Sequence, residues 1–176
     1  MVFSPRVTAS RKFRFVLPWL LVAALAVASI LRADFWPHDA RNRTTAEGDA
    51  LARSLPGRHR VEVVQVSDGD TFLARIRGEG GRETVTRVRL RGIDTAEMEA
   101  QCAAEHQLAE RARSALRVLL REGDVAISNV GSDRYGRLLA DVSTRNTSRV
   151  SEALLRAGHG RRYDGGHRDG WCTTPN

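Results

Sequence analysis

Two short acidic clusters, DGDT at residues 68–71 and DTAE at residues 94–97, open and close one stretch of the sequence. An extended run, a glycine-rich break at residues 78–81 and a second extended run lie between them, a pattern that predicts a β-hairpin. The hairpin would bring Asp70 and Asp94 close together, and neighbouring carboxylates repel each other unless a positive charge lies between them. Carboxylate oxygens are preferred ligands of hard cations such as Ca²⁺, and a site with few protein ligands leaves positions open for a phosphate.

Each acidic cluster by itself also fits a turn or a helix start, because Asp, Gly and Thr favour both. Their position at the two ends of one hairpin favours the metal site. Strand alternation places Arg89 on the face opposite Val88 and Leu90, where it can meet a metal-bound phosphate. An outward arginine on a strand is more often simply solvated, so Arg89 alone indicates no chemistry. A second guanidinium, that of Arg137, follows a glycine in the turn DRYGR at residues 133–137.

The elements that position these residues are short strands with alternating apolar side chains. The sequence predicts five strands, one helix between the third and fourth strands and another after the fifth. Adjacent Val63 and Val64 interrupt the alternation of the first strand and indicate a bulge. The predicted fold class is α+β, mainly β: a five-stranded OB-fold barrel with about two to three flanking helices, which commonly binds oligonucleotides. The predicted strands are residues 60–66, 72–77, 82–91, 124–130 and 138–142, and the helices lie between Glu97 and Gly123 and over residues 150–157.

Three motifs in order, DGDT, R-x-x-x-x-D-T-x-E at residues 89–97 and DRYGR, resemble the staphylococcal nuclease (thermonuclease) family. The resemblance covers about residues 60–163, and three linked motifs are a far more specific signal than one acidic cluster. One departure is Ala96, which stands where the family usually has proline. The family cleaves DNA and RNA at the 5′ P–O bond and leaves 3′-phosphates. The resemblance therefore implies a Ca²⁺-dependent phosphodiesterase that hydrolyses DNA, RNA or both.

The resemblance also assigns roles to the acidic residues. It implies that Asp70 and Asp94 ligate Ca²⁺, with the main-chain carbonyl of Thr95 as a third ligand. Asp68 would support the metal through water. Glu97 is similar to the family's general base, or at least to the residue that positions the attacking water.

The basic and aromatic residues receive roles in the same way. The resemblance implies that Arg89 and Arg137 hold the scissile phosphate, neutralise the charge of the transition state and assist the leaving 5′ oxygen. Arg134, where the family more often has lysine, and Tyr135 would touch the nucleotide. Of the family's tail tyrosines that stack on a base, Tyr163 is the single counterpart.

The start of the chain is similar to a segment that directs export. Four basic residues precede an apolar run at residues 15–31, which is about 17 residues long and lies at the lower limit for spanning a bilayer. Cleavage after Ala28 and retention as a membrane anchor both stay open. Either way the rest of the protein, expected to be a monomer, lies outside the cytoplasm as a periplasmic, secreted or membrane-anchored domain. The predicted divisions are residues 1–31 as signal peptide or anchor, 32–57 as a linker with a short helix, and 58–176 as the folded domain.

Global charge supports a nucleic-acid partner only weakly. The formal charge is +7, but four of the basic residues and none of the acidic ones lie in the first 28 residues. Cys102 and Cys172 are the only two cysteines, an even number that favours a disulfide in an oxidising compartment. Such a bond would close a loop of about 70 residues and stabilise the fold by roughly 4 kcal/mol in the chain-entropy model. Zinc binding is disfavoured, because two lone cysteines lack the CxxC spacing.

Two functions of different classes fit the sequence. The first is an exported Ca²⁺-dependent nuclease. The second is a non-catalytic OB-fold module at the cell envelope that binds nucleic acid or a protein partner. The presence of both aspartates, Glu97 and both arginines favours the enzyme, because a binding module needs no metal-ligating carboxylates.

Overall fold

The computed structural model describes residues 37–172, with side chains from residue 45 onward apart from that of Glu79. Within this part of the chain, no helix is both long enough and apolar enough to cross a bilayer. The predicted signal peptide or anchor at residues 1–31, its apolar run at residues 15–31 and the cleavage after Ala28 lie outside the described residues.

Five strands close into a barrel in the order β1-β2-β3-β6-β5, and three α-helices accompany it. This architecture confirms the predicted α+β class and five-stranded OB-like barrel. Two further strands, β4 and β7, pair with each other in a small separate sheet that the sequence did not predict. The strands are β1 (His59–Val66), β2 (Thr71–Arg77), β3 (Glu83–Leu90), β4 (Gly92–Asp94), β5 (Ala126–Ser132), β6 (Leu138–Ser143) and β7 (Arg161–Tyr163), and the helices are α1 (Pro37–Arg53), α2 (Ala103–Leu120) and α3 (Val150–Arg156).

The β2–β3 hairpin connects the two acidic clusters. Its strands pair antiparallel with Thr71 opposite Arg89, and a short 3-10 turn at Glu79–Gly81 joins their far ends. The amide of Leu90 donates a hydrogen bond to the carbonyl of Asp70 at 2.8 Å. The end of β3 therefore lies beside the start of β2, as the sequence predicted.

The barrel closes through the pairing of β3 with β6, the only parallel pair among the described strands. Val88 lies opposite Leu138 in this pair. Because Arg137 immediately precedes β6, closure brings the second predicted guanidinium to the end of β3 that carries Arg89.

The barrel interior follows the predicted alternation. Phe72, Ala74 and Ile76 of β2 are at most 1% exposed and form the core with the apolar residues of the neighbouring strands. A register shift between Val63 and Gln65 in β1 confirms the predicted bulge. The core fixes which face of each strand is left for polar residues, and hence where the functional side chains emerge.

Helix α1 occupies most of residues 32–57, the predicted linker, and is longer than the short helix expected there. Leu55 is 3% exposed and belongs to the core, and Leu51 and Ala52 pack against it. The end of this segment is therefore part of the packed domain. Only a few of its residues touch the core, too few to produce a sustained apolar period in the sequence.

A disulfide joins Cys102 and Cys172, whose Cα atoms are 6.0 Å apart, as the sequence predicted. Cys102 is also the N-cap of α2, where its sulfur accepts a hydrogen bond from the amide of Glu105 at 3.4 Å. The bond ties the segment after β7 to the first turn of α2.

Candidate functional site

The DGDT turn holds Asp70 immediately before β2, where its carboxylate is buried. The Oδ1 atom of Asp70 accepts a hydrogen bond from the Thr71 hydroxyl at 2.8 Å, and the Oδ2 atom accepts one from the Thr95 amide at 3.3 Å. A Cβ atom at Gly69 would clash with the Cβ of Ala112 and would lie 2.9 Å from the Thr95 hydroxyl oxygen. Only glycine at position 69 lets the turn pack this closely. The hydrogen bond from the Thr95 amide to Asp70 links the two acidic clusters directly.

Arg89 lies between the two predicted metal ligands. Its guanidinium forms an ion pair with Asp70 and another, at 3.7 Å, with the Oδ1 atom of Asp94. It also donates a hydrogen bond to the carbonyl of Ile93 at 3.1 Å. The three charged side chains are at most 4% exposed. The hairpin thus brings both carboxylates to one positive group, and this outward strand arginine is buried rather than solvated.

Asp94 is held by two further arginines from the C-terminal segment. Its Oδ2 atom accepts hydrogen bonds from the Nε and Nη2 atoms of Arg161 at 3.1 and 3.0 Å. Its Oδ1 atom lies 3.2 Å from the Nε atom of Arg168. The β4–β7 pairing places Arg161 opposite Asp94, and the Arg161 guanidinium stacks 4.4 Å from the ring centroid of Trp171. Guanidinium groups therefore contact both oxygens of a predicted metal ligand.

The sequence predicted no role for Arg161 or Arg168. Strand β7 is only three residues long, and so short a strand has no visible alternation. The one sequence feature that could have indicated a role for Arg168 was Cys172. A cysteine that forms a disulfide with the domain holds the residues just before it against the barrel.

Glu97 is half-buried and accepts a hydrogen bond from the Nη1 atom of Arg168 at 3.3 Å. Burial raises the pKa of Glu97 above its ordinary value, and the nearby carboxylates of Asp70 and Asp68 raise it further. The guanidinium groups of Arg89 and Arg168 oppose this rise in the pKa. Glu97 is therefore a carboxylate that binds a proton more tightly than an ordinary glutamate, which suits a group that must accept one near neutral pH.

Asp68 and Thr95 fix the loop that carries Glu97. The Oδ1 atom of Asp68 accepts a hydrogen bond from the amide of Met98 at 3.2 Å. The amide of Thr95 donates to Asp70, and the Thr95 side chain is buried. Bonds from the first acidic cluster thus hold the second cluster on both sides of Glu97.

The DRYGR turn is organised by Asp133. Its Oδ1 atom accepts hydrogen bonds from the amides of Tyr135 and Arg137 at 2.9 and 3.0 Å, and its Oδ2 atom accepts one from the Nε atom of Arg137 at 2.7 Å. Gly136 has a φ of 77°, a conformation that favours glycine. The guanidinium groups of Arg134 and Arg137 each lie 5.3 Å from the centroid of the Tyr135 ring. The turn therefore presents two arginines and one exposed aromatic ring together.

One cavity of about 400 Å³ collects the basic and aromatic candidates. Arg89 and Arg168 line this cavity, and they also contact the carboxylates of Asp70 and Asp94, respectively. The two carboxylates therefore lie next to the cavity. The structure therefore brings the predicted catalytic arginines and the predicted nucleotide contacts into one space. The predicted residues that line the cavity are Arg89, Arg134, Tyr135, Arg137 and Tyr163.

A hard divalent cation fits the chemistry of the donor set. Asp70 and Asp94 offer buried carboxylate oxygens and Glu97 offers a half-buried one, and Ca²⁺ prefers such ligands. Among the described residues, the one group of three Cys, His, Asp or Glu side chains with ligand atoms within 4.8 Å of one another is the disulfide pair with Glu105. Its two sulfurs are bonded to each other, so it is not a metal site. The carboxylates of Asp70, Asp94 and Glu97 are instead paired with the guanidinium groups of arginines. A cation that binds Asp94 would compete with these guanidinium groups.

Comparison with known proteins supports the resemblance seen in the motifs. Residues 87–169 match the family described as staphylococcal nuclease homologue. This interval contains Arg89, Asp94, Glu97 and Arg137 and runs through β7, whereas the DGDT turn lies before it. No curated protein matched the chain.

Proposed function

We propose that the protein is a Ca²⁺-dependent phosphodiesterase that hydrolyses DNA, RNA or both to 3′-phosphate products, because residues 87–169 match the family described as staphylococcal nuclease homologue. One observation carries the proposal. Arg89 lines the same cavity as Arg137 and also pairs with Asp70 and Asp94. A phosphate in this cavity would therefore lie between two guanidinium groups and beside a carboxylate pair suited to a hard cation.

Asp70, Asp94 and the main-chain carbonyl of Thr95 would hold the metal, with Asp68 in support. When bound, Ca²⁺ supplies positive charge to the phosphate and to the attacking water. Glu97 would accept the proton of that water at its carboxylate, which is half-buried and stands beside the proposed metal ligands.

Arg89 and Arg137 hold the phosphate and stabilise the charge that builds on its oxygens in the transition state. Fixed guanidinium groups are effective here, because they need no reorganisation as the charge develops. Arg89 is fixed by the buried carboxylates and Arg137 by Asp133. A hydrogen bond from a guanidinium also assists departure of the 5′ oxygen.

Arg134, Tyr135 and Tyr163 contact the nucleotide beside the scissile bond. In the free protein the Tyr135 ring lies beside Arg134 and Arg137, and the Tyr163 ring lies under Arg168 at 4.8 Å. A base has a π-face and can take the place of a guanidinium on either ring. The two tyrosines are therefore sites where bases of either DNA or RNA can stack.

The protein acts outside the cytoplasm in this proposal, directed there by residues 1–31 as a cleaved signal or as a retained anchor. The disulfide between Cys102 and Cys172 supports this location, because such bonds persist in oxidising compartments. The expected form is a monomer.

A plasmid-digestion assay of residues 33–176 with Ca²⁺ and with EDTA tests the proposal. We expect cleavage that EDTA abolishes and added Ca²⁺ restores. Arg137→Ala should lower turnover by a factor of about 10² to 10³ or more, because it removes a donor to the transition state. Arg156→Ala is the matched control, since Arg156 is exposed on α3, and it should cleave like the wild type.

Two results would contradict the nuclease. One is cleavage by Arg137→Ala at the wild-type rate. The other is nucleic-acid binding that ignores EDTA and is never followed by cleavage, which is the behaviour of a non-catalytic OB-fold binding module.

A further inference from the structure

The buried carboxylate of Asp94 has no free oxygen in this structure. Arg161 donates two hydrogen bonds to its Oδ2 atom, and its Oδ1 atom lies 3.2 Å from Arg168 and 3.7 Å from Arg89. A guanidinium keeps its proton at any pH at which the protein is folded, so it cannot yield its place by becoming neutral. Any cation that Asp94 ligates must therefore displace an arginine.

Arg89 is buried and also contacts Asp70 and the carbonyl of Ile93, so it is held in place by groups other than Asp94. Arg161 is also firmly held. It belongs to β7, which pairs with β4 directly opposite Asp94. Its guanidinium stacks on Trp171 and also bonds to the carbonyl of Asp169. Turning this guanidinium away from Asp94 would break the stacking contact and the main-chain contact together.

Arg168 is held by side-chain contacts alone: its ion pairs with Asp94 and Glu97 and its stacking 4.8 Å from the centroid of the Tyr163 ring. It lies between β7 and Cys172 in a segment with neither helix nor strand. Gly165 and Gly166, shortly before it, adopt φ angles of 109° and 94° that favour glycine. The Arg168 and Arg161 side chains are similarly exposed, at 32% and 34%, so exposure does not separate them. What distinguishes Arg168 is that its main chain belongs to no helix or strand and that, unlike Arg161, it lines the 400 Å³ cavity.

The position of Arg168 also decides where it can go. It lines the 400 Å³ cavity together with Arg89 and Arg137, and the disulfide at Cys172 keeps its segment attached to the domain. A guanidinium released from Asp94 and Glu97 would thus remain beside the cavity in which a phosphate binds.

We propose that Arg168 exchanges partners during the reaction. In the metal-free protein it neutralises Asp94 and Glu97. When a divalent cation takes its place at Asp94, Arg168 turns into the cavity and becomes a third guanidinium contact for the substrate phosphate. This exchange rests on the proposed function for its substrate, whereas the competition at Asp94 depends only on the metal.

The test compares Arg168→Gln with Arg162→Gln in the full chain. Arg162 lies beside Arg161 but is 72% exposed and pairs with Glu152. Calorimetric titration with Ca²⁺ in the absence of substrate should show binding about tenfold tighter for Arg168→Gln, because the competing cation is gone. The KM for a short single-stranded oligonucleotide should rise about tenfold through the loss of one charge-assisted contact, with kcat changed much less. Arg162→Gln should match the wild type in both measurements.

Arg168→Lys separates charge from shape. We expect its Ca²⁺ affinity to stay near the wild-type value, because a competing cation is retained, while its KM lies between those of the wild type and Arg168→Gln. Circular dichroism melting establishes that each variant is folded before it is titrated.

Unchanged or weaker Ca²⁺ binding by Arg168→Gln overturns the competition, and an unchanged KM overturns the phosphate contact. If the wild type binds Ca²⁺ but cleaves nothing, the nuclease proposal fails while the shift in Ca²⁺ affinity still decides the competition. A wild type that binds no Ca²⁺ overturns both proposals.

Discussion

At the scale of single residues, Arg89 shows what the alternation of apolar and polar side chains along a strand can predict and what it cannot. The flanking Val88 and Leu90 correctly place Arg89 on the opposite face from the core. They do not predict its burial, because contacts distant in sequence contribute to this site: Arg161 of β7, about 70 positions later, contacts the same Asp94 carboxylate as Arg89. The sequence identified the charges that must meet, and the long-range contacts determine that they meet out of water. Removing a partner from such a buried group leaves an unpaired charge, so its members depend on one another.

Glu97 provides a test of stability at this scale. The carboxylate of Glu97 binds a proton more tightly in the folded protein than in the unfolded chain, where its pKa is the ordinary 4.5. The free energy of unfolding therefore falls as the pH rises from 4.5 through the raised pKa of Glu97. Glu97→Gln removes this penalty. In EDTA, the variant should therefore be more stable than the wild type at pH 8 and equal to it near pH 4, where Glu97 is protonated.

Urea unfolding at the two pH values measures this difference, and Glu99→Gln, at an exposed position two residues away, is the control. The same Glu97→Gln protein should have lost nearly all turnover in Ca²⁺. A variant less stable than the wild type at pH 8 would mean that the ion pair with Arg168 outweighs the burial of the carboxylate.

At the scale of elements, the sequence predicted the longer strands of the barrel and missed the two three-residue strands. All five barrel strands carry enough alternating residues to be recognised, and the bulge in β1 was visible as a doubled valine. Strands β4 and β7 have three residues each and no pattern of their own. They pair because Gly160 permits the approach: a Cβ atom there would lie 2.7 Å from the carbonyl oxygen of Asp94.

The end of the predicted linker offers a second test. Leu55 is buried in the core although the surrounding segment is polar. Leu55→Ala should lower the free energy of unfolding by about 2–5 kcal/mol, the usual cost of removing a large buried apolar side chain. Val118→Ala on α2 is the control, because Val118 is 64% exposed and its truncation leaves no cavity.

Urea unfolding of residues 33–176 measures both changes. Equal and small effects of the two substitutions would show that the segment before β1 does not pack on the barrel in solution. In that case residues 32–57 would behave as the linker that their composition predicts.

At the scale of the whole molecule, the disulfide joins two parts of the domain that are 70 positions apart. Its pairing could be predicted, because the chain has only two cysteines. Its functional position could not be predicted, since nothing in the spacing of the cysteines says that the tied segment carries Arg168 to Asp94. The same bond therefore supports both the fold and the wall of the cavity.

Removing the bond gives the third test. Replacing both cysteines by serine, or adding dithiothreitol to the wild type, should lower the free energy of unfolding by up to roughly 4 kcal/mol in the chain-entropy model. Guanidinium chloride unfolding with and without reductant measures the loss. The double variant should not respond to reductant, and a wild type that is equally indifferent to it would show that the bond does not form.

The parallel pairing of β3 with β6 has a consequence for the order in which the protein is made. A ribosome delivers the β2–β3 hairpin early, but β3 meets its parallel partner only after residues 138–140 have been added. Asp94 meets Arg161 and Arg168 later still. A nascent chain therefore carries its carboxylates long before it has the arginines that complete the cavity. A chain that ends before β7 lacks Arg161 and Arg168, so its Asp94 carboxylate cannot form the ion pairs that hold it in the complete domain.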